Sequence, residues 1–443
     1  MVDVANVVTV NLTIQDATPA VANFGAMAIF AGDGPGMAGS WQGTYDSSPS
    51  GLSAMVTDGF SLTGGAYLKA AAIVAQSPRT AQFKVYKRAS PNIHSLTLTF
   101  SKTTPGFKQT FDVGIGGVFT SISYTNGASE TTSTIATAVE LLTEAVSGVA
   151  SAAAGAVITL TTEAPAPTGA RITLRNVKKE IAIDDPSADA GIATDLANAA
   201  VEDPDFFGFV IDGYGGTEIA AAAAWALSNS RMFVALSPDS DIVGSGSSDV
   251  ASTLKAASNN FAAVLFSRDM AGMADASLMA RQFSRDPGSS SWHMKELPGV
   301  TVDNLTATEF ANARGKNAIT YVNTKGLNRT YDGKAASGRF LDITHGAEWL
   351  KARIAERCFA VAANLEKIDY TDAGIALYEA EIRAQLSEAE SKGLLAAGWT
   401  VTVPKVSTVS SSNKANRKLQ DVKFNGVLTG AIHSAVIDGT IKV

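Results

Sequence analysis

The sequence predicts a multidomain chain of α/β and α+β character, and three patterns carry that prediction. Both chain ends alternate apolar and polar residues with period two. The region after Pro204 repeats short apolar runs and Ala-rich helical stretches. Between these, a block from about 92 to 200 is heavy in Thr, Ile and Val. Period two marks strands with one buried face, and β-α-β-α-β order marks a parallel sheet covered on both sides. The expected architecture is a mixed α/β core built from N- and C-terminal parts of the chain, with an inserted β-rich α+β domain and extended terminal β-arms. The expected bounds are 1–18 for the N-terminal arm, 19–91 and 204–431 for the two parts of the core, 92–203 for the insertion, and 432–443 for the C-terminal arm.

In chain order, Val8, Val10, Leu12 and Ile14 form the apolar face of the first arm. An apolar run at 26–31 leads into a loop from Gly32 to Gly51 rich in Gly, Ser and Pro. A helix is expected over 65–75 and a strand over 82–87, before a break at Ser90-Pro91-Asn92. The insertion offers strands at 96–100, 118–124, 157–161 and 171–174. Its one amphipathic helix carries Ile135, Val139, Leu142 and Val146 at the 3.6-residue period, with Ser129 or Thr131 as its cap. Strands follow at 207–211, 233–236 and 262–266, with helices around 219–227 and 250–257. Residues 287–345 read as turn-rich filling of the same domain. Two helices come next. The first carries Leu350, Ile354, Cys358, Val361 and Leu365 on one stripe. The second, about 372–392, carries Ile375, Tyr378, Ile382 and Leu386. Strands at 399–403 and 419–424 flank a Ser-rich loop. Ala435, Ile437, Ile441 and Val443 then give the last arm its apolar face.

Charged residues make up only 17% of the chain and hydrophobic ones 46%, against about 25% charged in an average domain. So little charge implies a large interior or large surfaces covered by partners. The net charge of −7, without a basic block, argues against sequence-independent nucleic-acid binding. No window of ~18 apolar residues suggests membrane insertion, and the first residues lack a signal-peptide layout, so manufacture in the cytoplasm is expected. The single cysteine, Cys358, excludes an intramolecular disulfide; on an apolar stripe it reads as a buried, inert thiol.

Catalytic constellations are sparse. Gly34-Pro35-Gly36-Met37-Ala38-Gly39 has the G-x-G-x-x-G spacing after a strand. A dinucleotide site needs a helix to start there, and Ser40–Gly51 has no helical period, so a structural glycine loop is the favoured reading. Asp212, Asp239 and Asp269 each follow an apolar strand, where ligands of parallel sheets gather. Together they motivate an alternative function, a Mg-dependent α/β hydrolase; turn formation or helix capping explains the same aspartates. The histidines His94, His293, His345 and His433 are scattered. The second late helix bears Asp372, Glu379, Glu381, Glu388 and Glu390, a solvated face or a docking face for a basic partner.

The stretch Asn416–His433, with Gly426 and Gly430, and the final strand 434–443 resemble the end of contractile-tail sheath proteins of myovirus-type bacteriophages. The opening strand, Thr18-Pro19 and the Gly25–Gly32 run are similar to that family's start. The resemblance implies a structural, non-enzymatic subunit without cofactors. It implies stacked rings around a tail tube, joined by inter-subunit β-strand addition through the arms, that contract for genome ejection into the host cell. Implied partners are further copies of itself, the tail tube protein, and baseplate and tail terminator proteins, in a virion tail assembled in the host cytoplasm. Glu379, Glu381, Glu388 and Glu390 would then face the tube. Gln15–Asn23 and Gly426–Gly430 would act as hinges.

Overall fold

The computed structural model describes residues 22–89, 95–115, 118–163, 171–185 and 191–436. The arm residues Val8, Val10, Leu12, Ile14, Ile437, Ile441 and Val443 lie outside the described residues. Two compact units emerge, Asn23–Ala347 with Gly430–Val443, and Met1–Ala22 with Glu348–Thr429. The late helix pair and last strands thus group apart from the large sheet, a division that the composition-based bounds did not make.

The larger unit opens with β1 (Met27–Ala31), buried along its whole length. The glycine loop follows, with Gly34, Gly36 and Gly39 all at positive φ, and it leads into a strand, β2 (Ser40–Asp46). The expected loop over 32–51 therefore ends early. A register shift between Trp41 and Gly43 interrupts β2's pairing with the next strand, so its sequence lacks clean alternation. Helix α1 (Pro49–Thr57) starts under the Ser48 cap. Helix α2 (Gly65–Val74) and strand β3 (Gln82–Lys87) lie within a residue of expectation.

The insertion contains β4 (Ser95–Phe100), β5 (Lys108–Ile115), β6 (Val118–Thr125), α3 (Thr132–Thr143), β7 (Val149–Ala154), β8 (Val157–Thr162), β9 (Ile172–Arg175) and β10 (Ile181–Asp184). These strands form two sheets, β10-β4-β8-β7 and β6-β5-β9. Thr131 caps α3 through a reciprocal box with Thr134. Ile135, Val139 and Val146 are buried as the period predicts, but Leu142 remains 39% exposed. Strands β5, β7 and the four-residue β10 escaped the sequence reading. Asp112 and Gly114 interrupt the first, and the second is mostly alanine, which carries little strand signal.

The chain returns to the large sheet through α4 (Ile192–Glu202), β11 (Gly208–Ile211), α5 (Gly216–Ser228), β12 (Met232–Ser237), α6 (Val250–Ala256), β13 (Ala262–Phe266), α7 (Ala274–Phe283), α8 (Ala307–Gly315), β14 (Ile319–Thr324) and β15 (Leu327–Tyr331). The sheet order is β15-β14-β13-β12-β11-β1-β3-β2. Pairing is parallel from β3 through β14 and antiparallel at both edges. Residues 287–345, expected to be turn-rich, supply an added helix and two sheet strands. Apolar side chains of β1, β11, β12 and β13 pack with α5 and α6; Phe209 and Phe233 stack at 4.8 Å.

The smaller unit holds most of α9 (Leu341–Asn364), α10 (Asp372–Ser391), β16 (Thr400–Thr402), α11 (Ser411–Ala415) and β17 (Lys423–Asn425). Arg357 of α9 clamps α10, donating to Gln385 Oε1 at 2.8 Å and pairing with Glu388 at 3.0 Å and Glu381 at 3.4 Å. β16 and β17 pair antiparallel with Val401 opposite Phe424. The strand expected over 419–424 shrinks to 423–425.

Candidate functional site

In the larger unit, strand order reverses around β1, which lies between β11 and β3. Parallel sheets usually open a ligand crevice at the carboxyl ends of such strands. Here the protein's own charges fill it. Arg88, just after β3, bonds Glu218 of α5, pairs with Asp212 at 3.2 Å and lies 3.6 Å from Asp195 of α4. Arg171, preceding β9 of the insertion, reaches Glu218 at 3.2 Å. The other Asp212 oxygen accepts from the Gly32 N–H at 2.6 Å. All five side chains are buried. Nearby Asp33 is raised to about 6, first by burial and then by Asp212. Buried pairs of this kind fix geometry more than they add stability, and this one joins the insertion to the core. Sequence reading missed it because Arg88, Arg171 and Glu218 meet only through topology.

The strand-end aspartates do not converge as the hydrolase alternative required. Asp212 belongs to the ionic cluster. Asp239 accepts from the Asp241 N–H at 2.8 Å, and Asp269 from the Ala271 N–H at 3.1 Å, each capping a short 3-10 turn. Among the described residues, no group of three His, Cys, Asp or Glu side chains is arranged to hold a metal ion. The glycine loop runs into β2, so no helix N-terminus is available for a pyrophosphate. His345 is buried, bonded through Nε2 to the Phe24 carbonyl at 2.9 Å and stacked on Phe283 and Phe207. Helix α9 has already begun at Leu341, so His345 lies within its first turns.

In the smaller unit, each glutamate proposed to face a tube has an internal partner. Glu379 pairs with Arg383 at 2.6 Å, Glu381 and Glu388 with Arg357, and Glu390 accepts from Trp399 Nε1 at 2.6 Å. Arg383 also donates to the Val401 carbonyl at 3.2 Å, tying α10 to β16. Cys358 is only half-buried, lining a cleft of about 420 Å³ with Ile375, Ile382 and Leu419. Burial and then Glu381 push its thiol upward, which keeps it protonated. The two-stranded sheet is the most open part: all of β17 is exposed, and only Val401 of β16 is buried. Among the described residues no third strand joins it.

Residues 341–441 match the family model described as E217 tail sheath protein gp31-like, C-terminal domain. Two solved sheath structures share the fold over nearly the whole chain. The helical sheath of the anti-feeding prophage in its contracted state gives a TM-score of 0.55 at 9% identity, covering 98% of each chain. The chain shares the fold of this contractile sheath, and its residues 341–441 match a tail-sheath C-terminal domain. The sheath complex of the PVC extracellular contractile injection system, also contracted, gives 0.53 at 9% identity, over 98% of this chain and 97% of that one. No curated protein matches the chain by sequence. The resemblance to contractile tail sheath proteins read from Asn416–His433 agrees with the match over residues 341–441, and the mixed α/β multidomain class agrees with the shared fold.

Proposed function

We propose that this protein is the structural subunit of a phage contractile tail sheath. It polymerises as stacked rings around a tail tube and contracts to drive the tube into the host cell. The open sheet β16–β17, inside the tail-sheath C-terminal domain, is the observation that carries this reading. Two strands of three residues are marginal alone, and their free edges offer backbone donors and acceptors to further strands. The arms bearing Val8, Val10, Leu12 and Ile14, and Ile437, Ile441 and Val443, supply strands of the required alternation. Neighbouring subunits donate them, hinged at Gln15–Asn23 and Gly426–Gly430. Glu379, Glu381, Glu388 and Glu390, each half-buried and paired within its own unit, turn their remaining open edges toward the tube. Partners are further copies of the chain, the tail tube protein, and baseplate and tail terminator proteins, with assembly in the host cytoplasm. The inserted domain decorates the outside and is dispensable for the core fold.

Electron microscopy of the purified full chain tests this, beside deletions of residues 1–15 and 434–443. The full chain should give rings or hollow tubes. Each deletion should stay soluble and melt cooperatively, but form neither. Uniform small particles from the full chain would refute the proposal.

A further inference from the structure

Residues Ala431–Val436 lie on the surface of the larger unit, and every one is exposed except His433. Its ring stacks on His293, with centroids 4.4 Å apart at 22°. Phe340 meets it edge-on at 4.6 Å, and Ser291 Oγ lies 3.2 Å from its Nε2. Among the described residues, Ala431–Val436 make no backbone hydrogen bond to the rest of the chain. One imidazole is therefore the anchor of the whole segment.

We propose that His293 and His433 form a pH-sensitive latch, holding residues 431–436 on the core at neutral pH and releasing them on acidification.

The stack requires an uncharged partner. His293 Nδ1 accepts the Asp332 N–H at 3.0 Å, so the neutral ring carries its proton on Nε2. Protonating Nδ1 would set two donors against each other and place two cationic rings face to face. Asp332 and Asp342 flank the pair and favour one proton on it. Asp332 is already engaged by Arg314 at 2.7 Å and Lys334 at 3.9 Å, and Lys295 lies close as well; these cations oppose a second proton. Tyr331, edge-on to His293 at 5.4 Å, adds apolar cover. Burial, then His433, hold His293 below the ordinary histidine value. Release removes the His433 ring and the cover it gives, and so raises His293 back toward the ordinary histidine range. The released state thus binds more protons, so docking is constant above about pH 6.5 and weakens as pH falls below it.

A spin label at Ala435→Cys, in the full chain with Cys358→Ser, reads the latch on dispersed subunits. The mobile fraction of the label should rise several-fold from about pH 8 to about pH 5.5. With His293→Phe and His433→Phe together, which keep two stacked rings but cannot titrate, it should stay flat. An unchanged spectrum in the parent, or an equal rise in the phenylalanine variant, would overturn the latch. So would a rise that coincides with loss of the near-UV circular dichroism of the core. A role for the released segment in strand donation rests on the sheath reading. Label mobility is measured without assembly, so failure of the latch and failure of that reading remain distinguishable.

Discussion

The sheets of the two compact units differ in how completely they use their strands. β12 of the large sheet buries all six of its residues, between parallel neighbours on both sides. β17 of the small sheet exposes all three of its residues beside a single partner. The inner strands of the first sheet have their backbone groups consumed by neighbours on both sides. The second has unpaired edges, which natural proteins normally protect unless another strand is meant to arrive. On the proposed reading, stability belongs to the first and recognition to the second.

The same substitution should break these two sheets differently. Val234→Pro removes a central ladder bond in β12 and should abolish cooperative unfolding, a loss of about 3 kcal/mol or more. Phe424→Pro in β17 should change the melt by less than about 1 kcal/mol, yet remove rings and tubes. Denaturant titration with electron microscopy reads both effects. Equal damage to the fold would erase the contrast.

Next in size are the two arginine clusters. Arg88→Met leaves Glu218, Asp212 and Asp195 buried without their main cation, and should cost about 3–5 kcal/mol in urea unfolding. Arg357→Met breaks the half-exposed clamp between α9 and α10, and should cost only about 0.5–1 kcal/mol.

Acid sharpens the picture of the large unit. Burial lowers His345 to about 4, while the Phe24 carbonyl pulls weakly the other way. The unfolded chain therefore protonates this residue first. Its stabilising contribution is full above about pH 6.5 and lost as pH falls toward 4. Asp33, Asp239 and Asp303, each raised to about 6 mainly by burial, act oppositely and favour the fold as pH drops through 6. His345→Phe should therefore reduce the stability lost between pH 7 and about pH 4.5 by on the order of 2 kcal/mol. Urea titrations at both pH values read the difference. A similarly small effect is expected in the insertion, where Thr131→Ala removes a reciprocal cap and should lower the unfolding free energy by about 1 kcal/mol.

Legibility from sequence followed the same divide. Parallel strands such as β1, β12 and β13 announce themselves because unbroken apolar runs are what a doubly covered strand requires. Helices α3 and α10 were visible through the 3.6-residue period. By contrast, β2 is bulged and β5 carries Asp112 and Gly114 within the strand, so neither alternates cleanly. The assembly region was legible as resemblance, through Asn416–His433, rather than as pattern, because strands of three residues have too few positions for a period. Arg88, Arg171 and Glu218, and likewise His293 and His433, are brought together from distant parts of the chain. Only the sheet order and the path back to the core unite them.

The most direct test of strand sharing is a high-resolution structure of the assembled protein, traced through residues 1–21 and 437–443. The account predicts that Val8–Ile14 of one subunit and Ile437–Val443 of another extend the β16–β17 sheet of a third chain or of each other's neighbour. Arms that pair only within their own chain, leaving β16–β17 two-stranded in the polymer, would contradict it.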